Sequence, residues 1–230
     1  MGEGHTRDHG TTRPWDQAGW IMPGTLAAWF LGPVVCVLPP GRLDRRGSVR
    51  RFVQVAVLGA VAFAFMYVDF PIPPFPPFLK YDPSDVPALI ATFALGPSAG
   101  ISVEVIKALL IQLLRSGTVG GPFGVFMNLL AGVTLTGAAG VYYLIDHTRP
   151  GAIKALVLGV LAMTGVMILA NLALTPTFFG IPRPQVVALV LPALLPFNIV
   201  KGTVTSLLTY VVYKRVRVYL YEWIGDRTAW

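Results

Sequence analysis

Three ionisable residues lie inside apolar stretches of this 230-residue chain, where a charge is costly unless it has a partner or a function. Glu104 and Lys107 are three positions apart, so a helix places them on one face, where they can neutralise each other. Such a pair fits two roles: a structural ion pair turned to the interior of a helix bundle, or the acid–base pair of an intramembrane enzyme. The spacing favours the structural role, and the enzyme stays as the alternative.

The third ionisable residue, Lys201, precedes Lys214 by thirteen positions, or ~20 Å along a helix. If Lys214 marks the cytoplasmic boundary, Lys201 lies in the outer half of its helix and shares a face with Asn198. Two prolines just upstream free backbone carbonyls, and Asn171 near the outer end of the preceding helix adds an amide. Two interpretations remain open: a polar binding site, or a lysine that extends to the outer interface beside asparagines that join helices.

A proline-rich loop, "DFPIPPFPPFLKYD" at 69–82, precedes the second apolar helix. Its five prolines and four aromatic residues make it too rigid for a flexible linker and too apolar to stay fully solvated, so it is predicted to be a lid. Asp82, Ser84 and Asp85 then favour an N-terminal cap for the helix that follows. Lys80 either pairs with these carboxylates or belongs to a site beneath the lid.

Common enzyme signatures are absent from the sequence. It has no G-x-x-x-x-G-K-[ST] nucleotide loop, no H-E-x-x-H zinc motif and no G-x-S-x-G motif, and its three histidines lie outside the apolar stretches. The single cysteine, Cys36, supports neither an internal disulfide nor a metal site. We therefore predict a binding or transport protein without metal or cofactor, driven by energy from another polypeptide, and not an enzyme.

The composition indicates that the chain is embedded in a membrane. It is 54% hydrophobic and 13% charged, which leaves too little polar surface for a soluble domain. Its formal charge of +7 is concentrated in short basic clusters beside apolar stretches, a pattern typical of membrane topology and not of nucleic-acid binding. We predict an all-α polytopic membrane protein, a bundle of six transmembrane helices at 52–69, 84–96, 98–115, 122–145, 151–174 and 186–214.

Basic residues predict the topology and the domain boundaries. Arginines before the first helix and basic residues at 149–154 and 214–217 place both ends of the six-helix unit in the cytoplasm of a cell-membrane protein. We divide the chain into an N-terminal extension at 1–50, a membrane domain at 51–216 and a cytoplasmic tail at 217–230. The extra apolar segment at 20–38 contains two prolines; a seventh helix is one interpretation, and an interfacial segment or an extension from an upstream start codon is favoured.

Small residues follow one face of the first helix. Ala56, Ala60 and Ala64 are spaced four apart, which lets another helix approach closely. This stripe fits either an interface with a partner protein or packing within the bundle.

Three blocks of the sequence, in this order and separation, resemble a known family: "FLKYDPSDVPALIATFALGPSAGISVEVIKALL", "GTVGGPFGVFMNLLAG" and "LPFNIVKG". They are similar to the riboflavin-specific substrate-binding S components of energy-coupling factor (ECF) vitamin transporters. The similarity extends over roughly residues 52–214.

The resemblance implies a six-helix S component that captures riboflavin, as transported substrate, beneath the loop between helices one and two. It also implies partners: a transmembrane coupling (T) subunit that contacts the small-residue face of helix one, and two ABC-type ATPases. An S component for another vitamin is the alternative within the family. The site residues implied, or expected as walls of a flavin pocket, are Asn171, Asn198, Lys201, Leu79, Lys80, Phe78, Tyr81 and Asn128.

Overall fold

The computed structural model describes residues 45–76, 79–115 and 121–224, with the side chains of 45–48, 214 and 216–224 outside the description. Phe78 and most of the predicted N-terminal extension therefore lie outside the described residues. The helices are α1 Arg45–Met66, α2 Asp85–Leu95, α3 Pro97–Leu114, α4 Gly121–Ile145, α5 Arg149–Phe179, α6 Arg183–Leu189 and α7 Leu195–Ile224. A π-helical turn, Val190–Leu194, joins α6 to α7, and this continuous run is called the terminal helical run below.

Five segments of the described chain are long and apolar enough to cross a membrane: Val49–Met66, Pro97–Leu114, Gly121–Ile145, Arg149–Phe179 and Arg183–Tyr213. The apolar helix α2, with 11 residues, is shorter. Every predicted helical segment has a counterpart in the fold, which confirms a mostly helical, multi-pass membrane protein. The terminal helical run continues to Ile224, so a helix occupies part of the stretch predicted as a tail.

The reversal between α2 and α3 occurs at the predicted break. Gly96 has φ +99°, a value that favours glycine, and Pro97 begins α3 at a position where its missing N–H costs nothing. The two helices are therefore antiparallel neighbours, and Glu104 and Lys107 of α3 lie at the level of the start of α2.

Close packing of α2, α4 and α5 forms the main apolar core, with Leu89, Leu135 and Met163 fully buried. Gly159 of α5 allows this approach, since a Cβ there would lie 2.9 Å from the carbonyl oxygen of Leu135. The opposite faces of α4 and α5 carry exposed leucines and valines, as expected for surfaces in contact with lipid.

The loop between α1 and α2 contains a short antiparallel hairpin. β1 Phe70–Pro71 pairs with β2 Lys80–Tyr81, with Phe70 opposite Tyr81 and Pro71 opposite Lys80. This hairpin together with Leu79 is called the lid below. The lid positions Leu79 and Lys80 against the bundle.

Candidate substrate-binding site

A cavity of about 490 Å³ opens between α4, α5 and the terminal helical run, against the lid. This volume falls within the range of ~300–1,000 Å³ that is usual for small-molecule sites. Most of its wall is apolar, formed by side chains that include Met66, Leu79, Phe123, Met127, Met167, Val186, Leu189 and Phe197. The described wall also contains nine polar or charged side chains: Asp69, Lys80, Asp82, Arg115, Asn128, Asn171, Thr175, Asn198 and Lys201. Apolar walls with placed polar groups are the pattern of a small-molecule site.

The π-helical turn positions two of these polar groups. Pro192 within the turn and Pro196 in α7 have no N–H, so the regular helical ladder is interrupted here, as predicted from the two prolines. The Asn198 Nδ2 donates to the carbonyl oxygen of Leu194 at 2.7 Å. Asn198 and Lys201 are three residues apart and both line the cavity.

Lys201 points into the bundle. Its residue is 5% exposed, and its Nζ lies 3.5 Å from both Asp82 Oδ2 and Asp85 Oδ2. The interpretation of Lys201 as a side chain that extends to the outer interface is therefore wrong, because two buried carboxylates attract the ammonium inward more strongly than distant headgroups can.

A second buried cation lies behind the cavity wall. Lys107 Nζ contacts Asp85 Oδ1 at 2.7 Å, Glu104 Oε2 at 2.6 Å and Ser84 Oγ at 3.0 Å, and Lys107 and Glu104 are both 0% exposed. Neither lines the cavity. The geometry agrees with the structural ion pair and gives Glu104 no access to a substrate.

The predicted helix cap is largely a charge network instead. Ser84, at the N-cap of α2, makes no side-chain capping bond. Asp82 Oδ1 accepts hydrogen bonds from the backbone N–H of Ser84, at 3.2 Å, and from the Ser84 hydroxyl. Asp85 forms ion pairs with Lys107 and Lys201. The side-chain capping role is thus wrong for Ser84, whereas Asp82 accepts a backbone N–H as predicted and Asp85 lies in the first turn of α2. The Asp85 carboxylate also supplies counter-charge to two buried ammonium groups.

Among the described residues, Lys80 forms an ion pair with neither Asp82 nor Asp85. Its Nζ contacts Asp69 Oδ2 at 2.9 Å, and Arg115 Nη2 donates to Asp69 Oδ1 at 2.9 Å. Arg115 also donates to the carbonyl oxygen of Met66 at 2.9 Å, so it joins the end of α1, the lid and α3. Burial raises the pKa of Asp69, but the hydrogen bonds and charges of Lys80 and Arg115 outweigh burial, and the net pKa lies below its ordinary value of 3.8.

Of the other predicted site residues that the structure describes, some line the cavity and one does not. Leu79, Asn128 and Asn171 line the cavity, as does Lys80. The Asn171 Nδ2 donates to the carbonyl oxygen of Met167 at 2.7 Å. Tyr81 is buried but is not part of the cavity wall; its ring packs edge-on against Phe70, with ring centroids 5.6 Å apart.

Sequence reasoning missed Asp82, Arg115 and Phe197 as parts of the cavity wall. Asp82 precedes a helix and therefore had the signature of a cap, and Arg115 follows a helix without a motif that marks it as part of a site. Phe197 carried a usable signal, since it lies within the "LPFNIVKG" block beside Asn198.

The small-residue stripe on α1 faces away from the bundle in part. Ala60 and Ala64 are exposed and Ala56 is half-buried, whereas Gly59 packs against Ile106 of α3, where a Cβ would lie 2.7 Å from Ile106 Cγ2. The interior of the bundle therefore uses Gly59 for close packing and leaves Ala60 and Ala64 accessible.

The fold and the cavity together define a multi-pass membrane protein with a small-molecule site inside its helix bundle. A protein-family model described as "ECF transporter, substrate-specific component" matches residues 50–213. The chain belongs to this family, and it is accordingly a component of a transporter and not an enzyme.

Curated relatives and a solved structure agree with this assignment. The chain is 33% identical over 177 residues to "Riboflavin transporter RibU" of Staphylococcus aureus (strain TCH60), covering 74% of this chain and 92% of that protein. It is 35% identical over 189 residues to "Riboflavin transporter FmnP" of Bacillus subtilis (strain 168), covering 79% and 97%. A structure described as "Structure and mechanism of the S component of a bacterial ECF transporter" matches with a TM-score of 0.65 and 35% identity over 74% of this chain and 96% of that one.

Proposed function

We propose that this chain is a riboflavin-binding S component, which captures the vitamin at the outer face of the cell membrane for ATP-driven uptake. The observation that carries the proposal is the cavity, in which apolar walls accompany amide and ammonium groups together with Asp69, Asp82 and Arg115. Riboflavin has a flat apolar ring system with one hydrogen-bonding pyrimidinedione edge, and its chemistry is complementary to this wall. The names of the two curated relatives support the same substrate.

The flavin ring lies between Leu79 of the lid and the apolar side chains of α4 and α5. Its polar edge faces Asn198 and Lys201, with Asn171 as a further donor. A ligand without this edge leaves buried amides unpaired, and that cost provides discrimination against other vitamins. Riboflavin is here the transported substrate and not a cofactor.

Six helices span the membrane in this proposal, with the short helix α2 as the sixth, and both ends of the six-helix unit are cytoplasmic. The lid and Lys80 then lie on the outer side, where the vitamin arrives. Residues 1–50 form an N-terminal extension, and the end of the terminal helical run projects into the cytoplasm with the tail at 217–230.

The chain acts with a transmembrane coupling subunit and two ABC-type ATPases. The exposed Ala60 and Ala64, with the half-buried Ala56, are the surface on which a helix of the coupling subunit approaches. The accessibility of two of these three residues supports this assignment.

The test is a titration of the detergent-purified chain with riboflavin, followed by quenching of flavin fluorescence. Asn198→Ala and Lys201→Ala are each expected to weaken binding by about 10- to 100-fold, because each removes a hydrogen-bonding group from a desolvated site. Lys154→Ala is the matched control, since Lys154 is exposed at the start of α5 and does not line the cavity. Unchanged titrations for both Asn198→Ala and Lys201→Ala would remove these residues from the site.

A further inference from the structure

Asp82 lies at the polar end of the cavity, where it contacts side chains of two helices. It lines the cavity and is 4% exposed, and both of its carboxylate oxygens are engaged. Its Oδ2 accepts from Asn128 Nδ2 at 3.0 Å and lies 3.5 Å from Lys201 Nζ, while its Oδ1 accepts from Ser84. One side chain thus holds a group of α4 and a group of α7 at the same place.

Lys201 needs such a partner to act as a recognition group. A lysine ammonium is a point charge on a flexible four-carbon stem, so its position is set by what surrounds it and not by its own geometry. The other carboxylate near Lys201 is Asp85, whose Oδ1 is bound to Lys107 at 2.7 Å. Asp85 is therefore shared with the cation behind the wall, whereas Asp82 faces the cavity.

Asp82 also follows directly after β2, the lid strand that ends at Tyr81. Since β2 carries Lys80 into the cavity wall, the lid and the Asp82 carboxylate are fixed to the same short piece of backbone.

We propose that Asp82 is a positioning residue for substrate recognition: it holds the Lys201 ammonium and the Asn128 amide in the geometry that receives the polar edge of the ligand. The inference rests on the proposed function, because it assigns a role to Asp82 in the same site. Its consequence is that affinity depends on a carboxylate at position 82 through Lys201. Preorganisation of this kind raises affinity by removing the cost of ordering the lysine when the ligand binds.

A double-mutant cycle measured by riboflavin titration tests this role. The variants are Asp82→Asn, Lys201→Ala and the double variant, with Asp146→Asn as the matched control, since Asp146 does not line the cavity and is bonded locally to Thr148. Asp82→Asn is expected to weaken binding by about 10- to 100-fold. The same substitution in the Lys201→Ala background is expected to cause a much smaller loss, because the group that Asp82 positions is already gone.

The visible absorbance of the bound flavin is a second readout, which a merely structural residue would not change. Asp82→Asn is expected to shift the flavin bands relative to the wild-type complex, because the charge at the pyrimidinedione edge moves. Asp82→Glu retains the carboxylate but displaces it by one methylene, so it is expected to weaken binding less than Asp82→Asn. If Asp82→Asn does not yield folded protein, Asp82→Glu is titrated with and without Lys201→Ala, and an equal change of affinity in the two backgrounds overturns the inference.

The outcomes separate this inference from the proposed function. Wild-type protein that binds no riboflavin overturns the proposed function and removes the basis of the inference. Wild-type protein that binds, together with an Asp82→Asn variant of equal affinity, overturns the inference alone. Losses from Asp82→Asn and Lys201→Ala that simply add in the double variant also overturn it, because Asp82 would then act independently of Lys201.

Discussion

At the scale of single residues, the bundle is organised around buried charges. In the part of the chain that the structure describes, the carboxylates of Asp82, Asp85 and Glu104 surround the ammonium groups of Lys107 and Lys201. Buried ions of this kind contribute little net stability when paired, but the loss of one partner leaves a charge that is not compensated. The two lysines have different tasks: Lys107 neutralises charge behind the wall, and Lys201 reaches the cavity.

This difference predicts unequal effects of two substitutions in the same cluster. Lys107→Met leaves Glu104 and Asp85 without their common cation and is expected to destabilise the fold by about 3–5 kcal/mol. Glu104→Gln removes one of three carboxylates that face two ammonium groups, so its cost is expected to be distinctly smaller. Thermal unfolding of both variants in detergent measures the difference. Equal losses of stability would contradict this account of the charge balance.

Individual residues also mark how far the sequence could be interpreted. Asn198 and Lys201 drew attention because an amide and a cation in an apolar helix are conspicuous, but two interpretations stayed open until the family resemblance implied a binding site. The pairing of Glu104 with Lys107 followed from their spacing. The partners of Lys201 could not be predicted, because Asp82 lies 119 positions away in sequence. Only the packing of α2 against α7 brings them together, and nothing local to either segment signals it.

At the scale of secondary-structure elements, one glycine allows the charge cluster to fit. Gly132 of α4 lies directly against the Glu104 carboxylate, so a Cβ added there would collide with its oxygens. The helix interface between α3 and α4 therefore accommodates a buried carboxylate only because this position has no side chain.

Gly132→Ala is expected to displace Glu104 and to destabilise the protein by about 1–3 kcal/mol, the usual cost of an overpacked interior. Gly137→Ala on the same helix is the control, because a Cβ there would meet only Ile101 Cδ1 at an ordinary distance of 3.9 Å. Alanine should increase helix propensity equally at both positions. A Gly132→Ala variant as stable as Gly137→Ala would show that the carboxylate is not confined here.

The lid is an element whose stability depends on pH through Asp69. The pKa of Asp69 in the folded protein lies below its value in the unfolded chain. The ion pairs of Asp69 with Lys80 and Arg115 therefore stabilise the lid above about pH 4, and this stabilisation is lost as the pH falls through the folded pKa. Hydrogen-exchange protection of residues 79–82 is therefore expected to be constant from about pH 8 to pH 5 and to fall below about pH 4.

Asp69→Asn is the matched variant for this measurement. It is expected to lower lid protection at neutral pH and to abolish the decrease near pH 4, because no carboxylate remains to be protonated. Protection that falls between pH 7 and pH 6, or an identical pH profile in Asp69→Asn, would assign the transition to another group.

Helix positions were predicted better than helix lengths at this scale. The apolar stretches and the Gly96–Pro97 break indicated each segment, because solvation by lipid and missing backbone donors act locally. The π-helical turn at Val190–Leu194 was not predicted as such, although two prolines indicated a loosened helix. Its form depends on the surrounding bundle, since packing decides how the freed carbonyls are satisfied.

At the scale of the whole molecule, one bundle must bind a vitamin and also present a surface to its partners. The cavity lies beside the lid, whereas Ala60 and Ala64 lie on the exposed face of α1, and neither lines the cavity. In the proposed function, binding and coupling therefore depend on separate sets of residues.

Ala60→Leu is expected to leave riboflavin titration unchanged and to reduce riboflavin uptake by cells that also express the coupling subunit and ATPases. A leucine on the exposed stripe prevents close approach of another helix without disturbing the bundle. Ala173→Leu, at an exposed position on α5, is the control for insertion of a larger side chain facing lipid. Equal uptake by Ala60→Leu and Ala173→Leu would argue against α1 as the coupling surface.

The central claim is that the cavity holds riboflavin, and the absorbance spectrum of the purified chain tests it most directly. Protein purified in detergent from cells supplied with riboflavin is expected to be yellow, with flavin bands that remain after gel filtration, and the Lys201→Ala variant is expected to lose most of this colour. Colourless wild-type protein that also fails to quench added riboflavin would contradict the claim.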